Sequence, residues 1–173
     1  MSNAAKITLV LGGARSGKSR YAENLIAALP SPWTYVATAQ AGDAEMAERI
    51  ARHRARRGPN WRTIEAAHNL DHVLAACKAD PALVDCLTLW LSNLMLADGA
   101  VEEEMTRVEK ALLLATAPKV VVSNEVGSGI VPEYPLGRRF RDAQGILNQR
   151  IAALADRVVL VVAGLPMPVK GTL

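Results

Sequence analysis

The opening thirty residues limit the fold of this chain more than any other stretch. An apolar run, ITLVL at 7–11, leads into Gly12-Gly13-Ala14-Arg15-Ser16-Gly17-Lys18-Ser19, and a helical pattern follows from Gly17 to about Leu29. Strand, glycine-rich turn and helix in that order fit G-x-x-x-x-G-K-[ST], a loop that wraps phosphate. Gly12 and Gly17 open backbone conformations closed to residues with side chains. Successive N–H groups then face one concavity, and the start of the helix adds the positive end of its dipole. In that frame Lys18 reaches the β- and γ-phosphates and Ser19 offers a hydroxyl to magnesium. The loop predicts binding of a nucleoside triphosphate. It does not name a reaction, because kinases, motors and recombinases share it.

The rest of the chain continues the same alternation. WTYVAT (33–38) precedes a helix from about Asp43 to Arg57, and WRTIE (61–65) precedes one at about 69–78. PALVDC (81–86) leads to a helical region and a second helix at about 101–115. KVVVSNE (119–125) leads through a loop to a helix at about 136–155, and RVVLVVAG (157–164) closes the series. Strands alternating with helices predict an α/β fold, a mostly parallel sheet with helices on both faces. With the phosphate loop, this is the recombinase-like P-loop NTPase arrangement. At 173 residues the chain is expected to be one nucleotide-binding domain, residues 1–173.

Composition agrees. Half the residues are hydrophobic but only 4% are aromatic, so Ala, Val and Leu must fill the core, as buried parallel strands require. A formal net charge of +3 is too small to announce a nucleic-acid binder, and no nucleic-acid partner is expected. Cys77 and Cys86 lack metal-binding spacing and read as buried thiols. MSNAAKITLVLGG reads as a first strand rather than a signal peptide, no stretch is long enough to span a membrane, and a cytoplasmic protein is expected.

The segment EMAERIARHRARRGPNW places Arg49, Arg52, Arg54, Arg56 and Arg57 around His53. Helical spacing puts Met46, Ala47, Ile50 and Ala51 on an apolar stripe, and Arg49, His53, Arg56 and Arg57 on another face. Three readings compete: a solvated basic face, a nucleic-acid helix, or a clamp on a triphosphate in which neutral imidazole attacks phosphorus. Histidine suits the third because its ordinary pKa of about 6.5 leaves it largely uncharged at cellular pH.

These stretches resemble a known family, the bifunctional adenosylcobinamide kinases/adenosylcobinamide-phosphate guanylyltransferases of the cobalamin pathway. The resemblance lies in GGARSGKSRYAE (12–23), YVATAQAGDAEMAERIARHRARRGPNWRTIE (35–65), VDCLTLWLSNL (84–94) and SNEVGSGIVPEYPLGRRFRDAQGILNQRIA (123–152). It implies two reactions. A nucleoside triphosphate, ATP or GTP, phosphorylates the aminopropanol hydroxyl of adenosylcobinamide. GTP then gives GMP to that phosphate through a GMP–histidine intermediate, which places the histidine at His53. It also implies nucleotide contacts at Gly12, Gly13, Ala14, Arg15, Ser16, Gly17, Lys18 and Ser19, at Thr38, Ala39 and Gln40, at Arg54, Ala55, Arg56 and Arg57, and at Glu65 and Asp85. A ring-shaped homotrimer is implied as well.

A carboxylate at a strand end can accept from the N–H edge of guanine, for which adenine has no equivalent donor pair. One of Glu65 and Asp85 is expected to do so, and Asp85 also suits magnesium. Glu125, beside the glycine-rich segment 124–137, is either a kinase base or metal partner, or a loop acid capping the following turn. Arg138, Arg139 and Arg141 hold phosphate or the corrinoid rim, or form a solvated face. His68 and His72 have the i, i+4 spacing of a metal pair but no further ligands, and read as ordinary. The rival functions are a DNA-binding recombinase-like ATPase and a simple nucleotide kinase.

Overall fold

The structure is a computed structural model describing residues 5–42, 44–55 and 57–173, without the side chains of Glu45, Met46, Arg49, Arg52 and His53. Arg56 thus lies outside the described residues. The chain runs β1 (Ile7–Gly12), α1 (Lys18–Ala27), β2 (Trp33–Ala37), α2 (Ala44–Ala55), β3 (Trp61–Glu65), α3 (Leu70–Ala76), β4 (Ala82–Asp85), α4 (Leu87–Leu96), α5 (Val101–Leu113), β5 (Lys119–Asn124), α6 (Pro135–Leu154), β6 (Arg157–Val162) and β7 (Leu165–Lys170). The strands form one sheet in the order β3-β2-β4-β5-β1-β6-β7. Every neighbouring pair is parallel except the antiparallel β6–β7.

Alternate side chains of each strand feed opposite faces. Ile7, Leu9, Val121 and Val158 pack on one side with residues of α3, α4, α5 and α6. Val10, Val120, Val122 and Val159 pack on the other with Ala22 and Ile26 of α1. The inner strands β1, β4 and β5 are buried on both faces, hence their continuous aliphatic runs. Among the described side chains of the apolar stripe expected on α2, none joins either core: Ala47 and Ala51 are exposed and Ile50 is half-buried, while Met46 lies outside the described side chains.

β7 is an element the alternation did not announce. Its Pro166 and Pro168 obscure the strand pattern, and Pro within a sheet is confined to edges such as this one. The signal lay in the two-residue turn Ala163-Gly164, where φ is 51° and 82°. Two positive φ values make the turn that joins hairpin strands most readily.

At the lower edge of the sheet, Lys119 is buried and its Nζ donates to the carbonyls of Lys78, Asp80 and Ala117 at 3.2, 2.7 and 3.1 Å. Burial pushes this ammonium below its ordinary pKa, and the three carbonyls repay part of that cost. Lys119 thereby closes the sheet at the end opposite the glycine-rich loop.

Candidate active site

The glycine-rich loop leaves β1 at the carboxyl edge of the sheet. A Cβ at Gly12 would stand 2.5 Å from Ser16 Oγ and 2.6 Å from the Val161 carbonyl, so only glycine fits. Gly17 has φ 94°, a left-handed conformation that costs little without a side chain. The loop is braced from two directions. The Gly164 N–H of the β6–β7 turn donates to the Ser16 carbonyl at 2.8 Å, and the Glu125 N–H donates to the Gly12 carbonyl at 3.2 Å. Lys18 is buried, with Nζ donating to the Gly13 carbonyl at 2.9 Å.

From Lys18 and Ser19 a cleft of about 630 Å³ crosses the carboxyl ends of the strands. Its wall includes Ala39 and Gln40 after β2, Ile50 and Arg54 of α2, Arg57, Glu65 ending β3, and Asp85 ending β4. Residues singled out from sequence on separate elements therefore meet in one space, although Gly12 to Gly17 of the loop are not in its wall. Its size is typical of small-molecule sites, and it lies where open α/β sheets bind ligands.

Thr38 and Ala55 stand apart. Thr38 is fully buried; its hydroxyl donates to the Cys86 carbonyl at 2.7 Å and accepts from the Cys86 N–H at 2.7 Å. It ties the end of β2 to the end of β4 and sets the spacing of the cleft floor. Ala55 is exposed and outside the wall. His53 lies in α2 directly before Arg54.

The structure adds residues the sequence did not single out. Tyr35, Thr63, Cys86, Leu89 and Asn124 line the same cleft. The Tyr35 hydroxyl donates to Asp85 Oδ2 at 2.9 Å, and the Arg57 guanidinium lies 3.5 Å from the centre of the Tyr35 ring. Burial pushes the Tyr35 phenol far above its ordinary pKa, the Asp85 charge adds to the rise, and Arg57 opposes it. The phenol therefore stays a neutral donor. Burial likewise pushes the Cys86 thiol up to about 11, helped by Asp85. Cys86 is thus no thiolate nucleophile at neutral pH.

Glu125 resolves toward the loop-acid alternative. Its carboxylate accepts from the Gly127 N–H at 2.7 Å and from the Ser128 N–H and hydroxyl at 3.2 and 2.7 Å. Arg138 Nη1 donates to the carbonyls of Pro132 and Glu133, and Arg141 pairs with Asp142. His68 meets Gln40 and His72 meets Asp71, and no group of three or more metal-ligating side chains occurs among the described residues. Both cysteines are buried and free. No described helix is long and apolar enough to cross a membrane.

A sheet of this order, a glycine-rich phosphate loop after β1 and acids closing β3 and β4 define a P-loop nucleotide-binding protein. Solved structures agree on the fold: the RadB recombinase (TM-score 0.53, 17% identity, 89% of this chain and 73% of that one) and the flagellar accessory protein FlaH of Methanocaldococcus jannaschii (0.51, 13%, 95% and 78%). The chain belongs to the cobinamide kinase/cobinamide phosphate guanyltransferase family, whose model matches residues 8–169. It is 50% identical to the bifunctional adenosylcobalamin biosynthesis protein CobP of Pseudomonas aeruginosa over 168 residues, 94% of this chain and 96% of that protein. It is 44% identical to the protein CobU of Salmonella typhimurium that carries the same description, over 94% and 98% of the two chains.

Proposed function

We propose that this chain, acting as one nucleotide-binding domain, phosphorylates adenosylcobinamide from ATP or GTP and then transfers GMP from GTP to the product. The observation that carries this reading is the single cleft joining Lys18 and Ser19 to Arg54, Arg57, Glu65 and Asp85. Family membership supplies the reaction class; the strand order suggests how a nucleotide lies. Asp85 is two strands from β1 and Glu65 four. At about 4.8 Å per strand these are roughly 10 and 19 Å from the loop strand. A triphosphate held at the loop keeps its phosphates near Asp85 and sends its base toward β3. Glu65 then accepts from the guanine N–H edge, and Asp85 stays on the phosphate side.

Magnesium fits this donor set. The Ser19 hydroxyl and the Asp85 carboxylate are hard oxygens in one cleft, and the ion takes one or two protein oxygens alongside phosphates and water. When bound it would neutralise charge on the phosphate oxygens. Lys18 and the loop N–H groups hold the phosphates, while Arg54, Arg56 and Arg57 balance charge that builds on the transferring group. His53 attacks the α-phosphorus of GTP, forming the N–P bond as the bond to pyrophosphate breaks. The phosphate of adenosylcobinamide phosphate then attacks the same phosphorus, forming adenosylcobinamide-GDP and freeing the imidazole.

GTP labelled in its α-phosphate should mark the protein, whereas γ-labelled GTP should not mark it in the same way. The adduct should survive alkali and fall off in acid. His53→Asn labelling as well as wild type would sink the assignment. The proposal includes a cytoplasmic homotrimer. Leu165, Met167 and Val169 expose apolar surface on β7 that an assembly would cover, and light scattering tests the trimer.

A further inference from the structure

The Tyr35 side chain touches two residues of the cleft wall that come from separate elements. Its hydroxyl holds Asp85 Oδ2 at 2.9 Å, and its ring carries the Arg57 guanidinium 3.5 Å from its centre. Asp85 shares the cleft wall with Lys18 and Ser19, while Arg57 lies two residues beyond the end of α2, the helix that carries His53. The ring itself is fixed: Tyr35 is 5% exposed, and Trp61, tilted in turn against Trp33, meets it edge-on at 6.2 Å.

Arg57 shows what this support is for. Its Nε and Nη1 are shielded from solvent and have no hydrogen-bond partner among the described residues. The face of the Tyr35 ring stands in for those missing acceptors, and Arg57 also lines the cleft, where a guanidinium suits phosphate oxygens. The stack on Tyr35 holds the charge over the negative face of the ring, so the fork is oriented before the ligand comes.

We propose that Tyr35 is a positioning residue that fixes Asp85 and Arg57 relative to each other, so that one nucleotide meets a carboxylate on its metal side and an arginine on its transfer side. This rests on the reading of Asp85 given above. The hydroxyl acts through Asp85 and the ring acts through Arg57, and the two contributions are separable. Tyr35→Phe keeps the ring and frees Asp85. Tyr35→Leu loses both.

The test is equilibrium binding of GTP, with and without magnesium and without turnover, on the full chain. Thermal melting checks that each variant is folded. Tyr35→Phe should bind GTP without magnesium as wild type does, but lose about tenfold of the tightening that magnesium brings, the scale of a hydrogen bond to a charged group. Tyr35→Leu should in addition bind metal-free GTP about fivefold more weakly, the scale of a lost cation–π contact. On an Arg57→Ala background, Phe and Leu at position 35 should bind metal-free GTP equally.

Full magnesium tightening in Tyr35→Phe, when Asp85→Asn has lost it, overturns the proposal. So does a Phe–Leu difference that persists without Arg57. Asp85→Asn that keeps the tightening sinks the reading of Asp85 and this proposal with it. The expected losses in all these variants, beside a wild type that never transfers GMP, would sink the transferase reading while Tyr35 stands.

Discussion

The phosphate loop and α2 line the same cleft but are built on different terms. The loop grows out of buried β1, Gly12 and Gly17 sit where a side chain would clash or be strained, and backbone hydrogen bonds from Gly164 and Glu125 hold it from outside. In α2, Ala44, Ala47, Glu48, Ala51, Arg54 and Ala55 are exposed, Ile50 is half-buried, and no described residue joins either apolar core. Loop residues thus answer to folding and chemistry together. Helix residues answer almost wholly to chemistry. The grip on phosphate is preorganised by the fold, whereas the residue proposed to receive GMP belongs to a helix whose described residues lie outside both cores.

The largest test of this contrast is to disable each region in turn. Lys18→Ala should lower both phosphoryl and guanylyl transfer by about a thousandfold, because one charge stabiliser serves both reactions. His53→Asn should abolish guanylylation of the protein and leave phosphorylation of adenosylcobinamide near the wild-type rate. Separate assays of phosphate and GMP transfer decide it. A Lys18→Ala protein that retains either reaction breaks the idea of a shared grip.

Stability should divide along the same line. Leu9→Ala beneath the loop should cost about 2–5 kcal/mol, as buried leucines do. Gly17→Ala should cost about 1–3 kcal/mol, since it forces a side chain into a left-handed conformation with its Cβ 3.2 Å from Gly164 Cα. Arg54→Ala and Ala47→Glu in α2 should fall within about 0.5 kcal/mol, as exposed substitutions do. Urea denaturation measures all four. An α2 variant as costly as Gly17→Ala would show that the helix belongs to the core after all.

The same division explains what could be read from sequence. The loop and the parallel sheet were legible because each rests on local pattern: glycine spacing and aliphatic runs. The acids Glu65 and Asp85 entered through the family resemblance, with which a carboxylate at a strand end agrees. Tyr35 was not, since its partners are Asp85, fifty residues away, and Arg57 across a helical crossover. Nothing in WTYVAT distinguishes a tyrosine that packs from one that positions. Thr38 was legible as a residue of the right stretch, but its hydroxyl is turned to Cys86, which only the register of β2 against β4 reveals. The stripe of α2 misled for the opposite reason. Its period is real, but a helix period says where apolar residues lie, not whether anything covers them.

The smallest expected effect concerns the brace on the loop side. The Glu125 backbone N–H reaches Gly12 while its carboxylate caps Gly127 and Ser128. The Ser128 hydroxyl, chiefly, holds that carboxyl below its ordinary value of 4.5, with the two N–H groups adding to the effect and slight burial opposing it. A carboxylate depressed in the folded state stabilises above its unfolded pKa and loses that contribution as pH falls through the folded value. Wild type should therefore exceed Glu125→Gln in stability at neutral pH by no more than about 0.5 kcal/mol, the group being exposed. The gap should close as pH drops below 4.5. Urea titrations of both proteins across that range measure it. A gap that stays constant into acid would mean the loop is braced by its backbone contacts alone, which would sharpen the contrast with α2 by removing charge from it.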